Sequence, residues 1–236
     1  KSDAPQFRTV LYPVYGNDNK EEIMKATKKF TTSQLTILGL MAGILFLMAY
    51  TPLGYLNIGP LAVTFNVIPV AICAVVLGPT GGAIAGAVFG LTSFMQAMGI
   101  GGVSALGSAL FQINPFMTAV QCFGPRILDG ICIGFIYRAV HKKANVYVSC
   151  AVTGFFSAFL NTLFFMSALV GMFGNTELIQ NLMGGHNIII GCCLMVGVNA
   201  ISEMVSSTII TAAVGTALSK AHLIPASQIV KPDAAV

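Results

Sequence analysis

Charge is scarce in this chain. Lys, Arg, Asp and Glu together make up 8% of its 236 residues, against 56% hydrophobic residues, and so little charge excludes a soluble globule. Tryptophan is absent, and six tyrosines leave only a thin aromatic belt. The first ~30 residues lack the continuous apolar core of a signal peptide. The six cysteines, Cys73, Cys122, Cys132, Cys150, Cys192 and Cys193, show no CxxC spacing and have no histidine cluster beside them. They read as free thiols acting as small hydrophobes, with no metal and no cofactor. There is no HExxH, no GxSxG and no pair of acids at a span mouth, so no enzyme site can be assembled. The glycine-rich run from Gly78 to Gly90 lacks the terminal Lys-Ser/Thr pair and a preceding strand, which excludes a phosphate loop. A net charge of +4 needs no nucleic-acid partner, because it follows from the asymmetry of the loops.

What the chain does have is six long apolar stretches and a mean hydropathy of +0.83. They run over about residues 33–51, 61–77, 83–98, 115–140, 146–173 and 187–218. Crossing a bilayer takes roughly 20 residues of helix, and hydrocarbon obliges the backbone to satisfy itself. The fold class is therefore an all-α polytopic membrane protein with six transmembrane helices. Residues 1–32 form an N-terminal tail, 33–219 the membrane domain and 220–236 a C-terminal tail. A short amphipathic stretch, residues 21–30, is expected on the membrane surface, with an unstructured tail as the alternative. The segment Gly78-Pro79-Thr80-Gly81-Gly82 reads as a tight turn, and the Gly/Ser/Ala-rich linker after Met98 as a mobile loop. Loops 52–60, 99–114 and 174–186 contain no Lys or Arg, whereas Lys20, Lys25, Lys28, Lys29, Arg138, Lys142, Lys143 and Lys220 fall on the other side. The positive-inside rule then makes both termini cytoplasmic.

Small residues mark close helix packing. Gly82, Gly86 and Gly90 recur every fourth residue on the third span, and Gly39 and Gly43 on the first. Arg126, Asp129 and Glu203 are the charges deep in the apolar spans, where each costs about 2.5–3.5 kcal/mol to insert. At 1.5 Å per residue, Arg126 lies ~22 Å from the His141 end, and Asn161 and Glu203 each ~24 Å from their own cytoplasmic ends. Asn199 lies one turn farther out. Two readings stay open here: Arg126 paired with Glu203 or Asp129 as structural glue, or the same level as the floor of an outward-opening ligand pocket. Amides orient polar ligands well in apolar pockets, which favours Asn161 and Asn199 for the second reading. Thr64, Asn66, Gln96, Gln112, Asn114 and Gln121 lie towards the outer side. His141, His186 and His222 sit at span ends, where interface placement explains them.

Several motifs in order carry a resemblance. These are Leu56-Asn57-Ile58-Gly59-Pro60 followed by Val63-Thr64-Phe65-Asn66-Val67-Ile68-Pro69-Val70; Leu77-Gly78-Pro79-Thr80-Gly81-Gly82 with Gly86 and Phe89-Gly90-Leu91; Pro125-Arg126-Ile127-Leu128-Asp129-Gly130; Asn161-Thr162; and Asn199-Ala200-Ile201-Ser202-Glu203. From about Thr32 to Leu218 the chain resembles the substrate-binding S components of energy-coupling-factor (ECF) vitamin transporters. The resemblance implies a multi-pass subunit of the cell membrane that captures a vitamin on the extracellular side. It would deliver the vitamin inward with a transmembrane coupling subunit and two cytoplasmic ATPases, which fits the lack of any Walker motif. The family's small-x-x-x-small patch for the coupling subunit falls on Gly39 and Gly43, here as glycines. The pattern looks closest to the pantothenate branch, whose carboxylate would favour Arg126 or amide donors. Branch members often have a histidine where this chain has Asn66, and a pyridoxine-type or cobalamin ligand stays open.

The expected pocket has loop 52–60 and linker 99–114 as its roof and spans four to six as its walls. Asn66, Asn114, Arg126, Asn161 and Asn199 are the expected ligand contacts, with Glu203 fixing Arg126. One rival is an autonomous secondary transporter or channel of six helices, against which stands the lack of a convincing internal repeat. A scaffolding subunit would bind no small molecule, and an intramembrane enzyme ranks last.

Overall fold

The computed structural model describes residues 32–51, 54–57, 62–101, 104–183 and 188–224. The N-terminal tail with its expected surface helix, most of loop 52–60 and residues 225–236 of the C-terminal tail lie outside the described residues. In chain order the elements are α1 (Thr32–Ala49), β1 (Tyr55–Asn57), β2 (Ala62–Thr64), α2 (Val67–Ala97), α3 (Ala105–Ile113), α4 (Pro115–His141), α5 (Val146–Phe173), α6 (Glu177–Met183) and α7 (Ile188–Lys220). Among the described residues, five helices are long and apolar enough to cross a membrane: α1, α2, α4, α5 and the Asn199–Lys220 part of α7.

The helix ends have local causes. Asn114 caps α4 by accepting from the Met117 N–H at 3.1 Å, and Pro115 at the first helical position gives up no bond the helix would have made. Asn145 caps α5 through the Val148 N–H at 2.9 Å. Both helices start at the residue the sequence indicates. Elsewhere the structure departs from expectation. Residues 62–64, read as the start of the second span, form β2, which pairs antiparallel with β1 in the register Tyr55↔Thr64. Residues 99–108, read as a mobile linker, run into α3 from Ala105, capped by Ser104 through the Gly107 N–H at 3.1 Å. Loop 174–186 contains α6.

The expected turn over residues 78–82 is made at Gly78 alone, whose φ of 72° and ψ of −161° interrupt α2. Only glycine takes this positive φ without steric cost. The fold-back is sharp. A Cβ on Gly82 would come within 3.1 Å of the Ala74 Cβ, although eight residues of straight helix span ~12 Å. Beyond Gly78, α2 runs antiparallel to α4 with Gly82 against Gly130, Gly86 against Arg126 and Gly90 against Cys122. Before Gly78 it packs elsewhere: the Val67 carbonyl accepts from Ser157 Oγ of α5 at 3.3 Å, and Val75 approaches Gly215 of α7.

The polarity of the bundle is inverted relative to a soluble protein. Four-residue steps place Gln121, Asp129, Tyr137 and His141 of α4, Ser149, Thr153, Ser157 and Asn161 of α5, and Asn199, Glu203, Ser207 and Thr211 of α7 in the buried interior. Two residues, or ~200°, round α7 from its polar row, Ile201, Val205 and Ile209 are 62%, 55% and 63% exposed. Phe155, Phe159 and Leu163 do the same on α5. Hydrocarbon takes the apolar faces, and the polar groups turn to one another. Thr153 and Ser149 relieve their burial locally, each hydroxyl donating to the carbonyl four residues back.

Candidate ligand-binding site

A cavity of about 140 Å³ lies where Thr64, the far end of α2, and α3, α4, α5 and α7 converge. That is about ten times the 10–15 Å³ a single water needs, room for a small organic molecule. One side is closed by α3, whose Leu110 packs with Met166, Leu169 and Phe173 of α5 and Ile179 of α6. Gln96 ties the same end together by donating from Nε2 to the Ala49 carbonyl of α1 at 2.5 Å.

Arg126 is built into the wall by its own helix. Pro125 has no N–H, so the Gln121 carbonyl four residues earlier loses its helical donor. Arg126 Nη1 takes that carbonyl at 2.7 Å. Its guanidinium lies over the rings of Phe165 at 4.6 Å and Phe89 at 5.3 Å from the centroids, an arrangement that stabilises a cation by about 0.5–2 kcal/mol. Gln121 in turn donates from Nε2 to the Phe165 carbonyl at 2.9 Å, bracing α4 against α5. Glu203 Oε1 accepts from the Thr64 N–H at 2.6 Å, which fastens the β-hairpin to α7. The lining thus carries one cation, one carboxylate, several amides and hydroxyls, and aromatic faces.

The sequence matches the ECF transporter, substrate-specific component family over residues 33–215. The chain belongs to that family. It is a multi-pass transport subunit of the cell membrane. Among curated relatives, the pantothenate transporter PanT of Leuconostoc mesenteroides subsp. mesenteroides is 32% identical over 197 residues, covering 79% of this chain and 92% of that protein. The pantothenic acid transporter PanT of Lactococcus lactis subsp. cremoris is 28% identical over 208 residues, covering 83% and 98%.

Within this ECF component, Arg126, Asn161, Asn199 and Glu203 come together on the cavity wall. Asn66 and Asn114 do not. Asn66 is fully buried at the start of α2, outside the lining, with neither carboxamide atom bonded among the described residues. Asn114 spends its side-chain oxygen on capping α4. Glu203 holds the hairpin, and Arg126 is seated by the Gln121 carbonyl and two rings; that Glu203 also fixes Arg126 stays a proposal. Asp129 is buried and lies outside the lining. Of the expected roof, the 99–114 segment contributes Ser104, Leu106, Gly107 and Leu110, while the third-span residues Phe89, Ser93 and Gln96 form an unexpected wall. Thr118 and Thr162 were missed as well. The signal for them was their place beside the polar rows: Thr118 lies three residues before Gln121 on α4, and Thr162 follows Asn161 on α5. Gly39 and Gly43 lie exposed on α1, with nothing near either Cα that a Cβ would meet. Cys73, Cys122, Cys132 and Cys150 are free thiols.

Proposed function

We propose that the chain is the vitamin-capturing subunit of an ECF importer and that its ligand is pantothenate. The observation that carries this reading is Arg126, a cation seated between aromatic rings in a cavity whose other polar lining is amides, hydroxyls and the Glu203 carboxylate. A guanidinium presents five donors and no acceptor, which suits a carboxylate, and the two named relatives support pantothenate as the carboxylate's owner. Asn161, Asn199 and Glu203 contact the remainder of the ligand. In this reading there are six spans, because the fold-back at Gly78 divides α2 between the second and third. The cavity lies towards the side whose loops carry no Lys or Arg, so capture is extracellular and both termini are cytoplasmic. Gly39 and Gly43 face a transmembrane coupling subunit, and two cytoplasmic ATPases supply the energy.

Calorimetric titration of the purified subunit with pantothenate tests the assignment. Saturable binding is expected, weakened about 10- to 100-fold in Arg126→Gln, the usual cost of losing a hydrogen bond to a charged group. No binding of pantothenate by folded wild-type protein, or full affinity in Arg126→Gln, overturns it. ATP-independent uptake by the subunit alone in liposomes would instead favour an autonomous transporter.

A further inference from the structure

Among the described residues, two buried oxygens of the cavity wall have no donor. Gln121 is 1% and Asn161 6% exposed. Both line the cavity, and neither Gln121 Oε1 nor Asn161 Oδ1 has a hydrogen-bond partner among the described residues. Gln121 cannot turn its amide round to relieve this. Its Nε2 is engaged by the Phe165 carbonyl at 2.9 Å, and flipping the group would set two oxygens against each other. A carboxamide oxygen only accepts, and a buried acceptor left empty is a standing penalty that a ligand removes by bringing a donor. Asn161 lies one turn before Phe165 on α5, so the Gln121–Phe165 brace keeps the two oxygens on the same part of the wall.

We infer that this cavity selects its ligand by two hydrogen-bond donors, one for Gln121 Oε1 and one for Asn161 Oδ1, which makes Gln121 a specificity-determining residue. The inference rests on the cavity being the ligand site. The cargo is then a polyhydroxy or hydroxy-amide compound with an anionic end. A carboxylate satisfies Arg126 but repels both amide oxygens, so it cannot occupy their positions. For pantothenate this fixes the orientation: the hydroxyls of the pantoyl half and the adjoining amide N–H supply the donors for Gln121 and Asn161, and the carboxylate meets Arg126.

The experiment compares pantothenate with its analogue lacking both hydroxyls, in which the amide and carboxylate are intact. Wild-type protein is expected to bind the dideoxy compound about 100-fold more weakly or worse, because a site built to bond a hydroxyl rejects the analogue without it. In Asn161→Leu the gap between the two compounds is expected to shrink about tenfold. Gln121→Leu should act in the same direction, but it also removes the brace between α4 and α5. The two-ligand comparison on wild type therefore stands if that variant does not fold. Equal affinity of wild type for both compounds, within about threefold, overturns the inference. If pantothenate itself does not bind, the function proposed above fails separately, and the compound that co-purifies becomes the probe. Its identification by mass spectrometry supports the donor requirement if it carries two or more N–H or O–H groups and overturns it if it carries fewer.

Discussion

At the scale of single residues, the site depends on a proline that supplies nothing to a ligand. Pro125 acts by what it withholds: with no N–H to offer, it leaves the Gln121 carbonyl for Arg126, whose Nη1 sits 2.7 Å away. Proline in a helix interior costs about 3 kcal/mol relative to alanine, so retaining it here only makes sense if the freed carbonyl has a use. Pro125→Ala restores a backbone donor at that position, which competes with Arg126 for the same oxygen. The expected outcome is a protein of equal or higher thermal stability whose pantothenate affinity falls about tenfold, since one charge-assisted hydrogen bond that places the guanidinium is lost. Melting and titration on the same preparation separate the two effects. A variant that loses stability while keeping its affinity would show that Pro125 serves the packing of the helix and not the arginine.

At the scale of elements, α2 and α4 approach through glycines, and the position of each glycine decides what it tolerates. A Cβ on Gly82 would collide with the Gly130 carbonyl, and one on Gly130 with the Gly82 carbonyl. Main-chain atoms cannot swing aside as a side chain can, so Gly82→Ala must push the two helices apart. The expected cost is about 1–3 kcal/mol, the range for overpacking a well-fitted interior, read as a fall in melting temperature of several degrees. Gly124 sits on the same α4 but faces outward with nothing within 4 Å of an added Cβ. Gly124→Ala should be neutral or slightly stabilising through helix propensity, and comparable losses in both variants would refute this account of the packing. The glycine spacing on α2 was legible in the sequence, as were α4 and α5, because long apolar runs with Asn caps and a Pro115 start admit few other structures. The hairpin, α3 and α6 were not. Each is short, three to nine residues, too short to stand out among apolar spans, and α3 is held where Leu106 and Leu110 meet the Met166–Leu169–Phe173 surface, a contact between distant parts of the chain. The site was half legible for a related reason. A lone intramembrane arginine or asparagine stands out, whereas Gln121 matters through its partner on another helix and Thr118 through its place in the cavity wall.

At the scale of the whole molecule, every spanning helix but one has an obvious reason for each of its faces. The exception is α1. Its buried row is Ile37, Met41, Leu45 and Ala49. Two residues round the helix, ~200° away, runs the exposed row Leu35, Gly39, Gly43 and Leu47, with both leucines more than half exposed. Lipid alone gives no reason for two glycines one turn apart between large residues; at the same spacing Phe155, Phe159 and Leu163 on α5 and Ile201, Val205 and Ile209 on α7 are large and apolar, with small residues only where those rows run on to Ser167 and Gly171 and to Ala213 and Ala217. A notch one turn long, flanked by leucines, admits the backbone of another helix to close range, which is how helices associate where no hydrophobic effect drives them together. On the proposed function that helix belongs to the coupling subunit. In a Gly39→Leu, Gly43→Leu double variant the notch is filled, and neither added Cβ has a described residue within 4 Å. The isolated variant is therefore expected to melt as wild type does and to bind pantothenate within about twofold of it, each change being a surface substitution worth no more than about 0.5 kcal/mol. Its co-purification with the coupling subunit and the ATPases should be lost, and vitamin uptake in reconstituted vesicles with it. Full assembly of the double variant would move the docking surface off α1, and a loss of ligand binding by the isolated variant would mean that α1 holds the cavity together from outside.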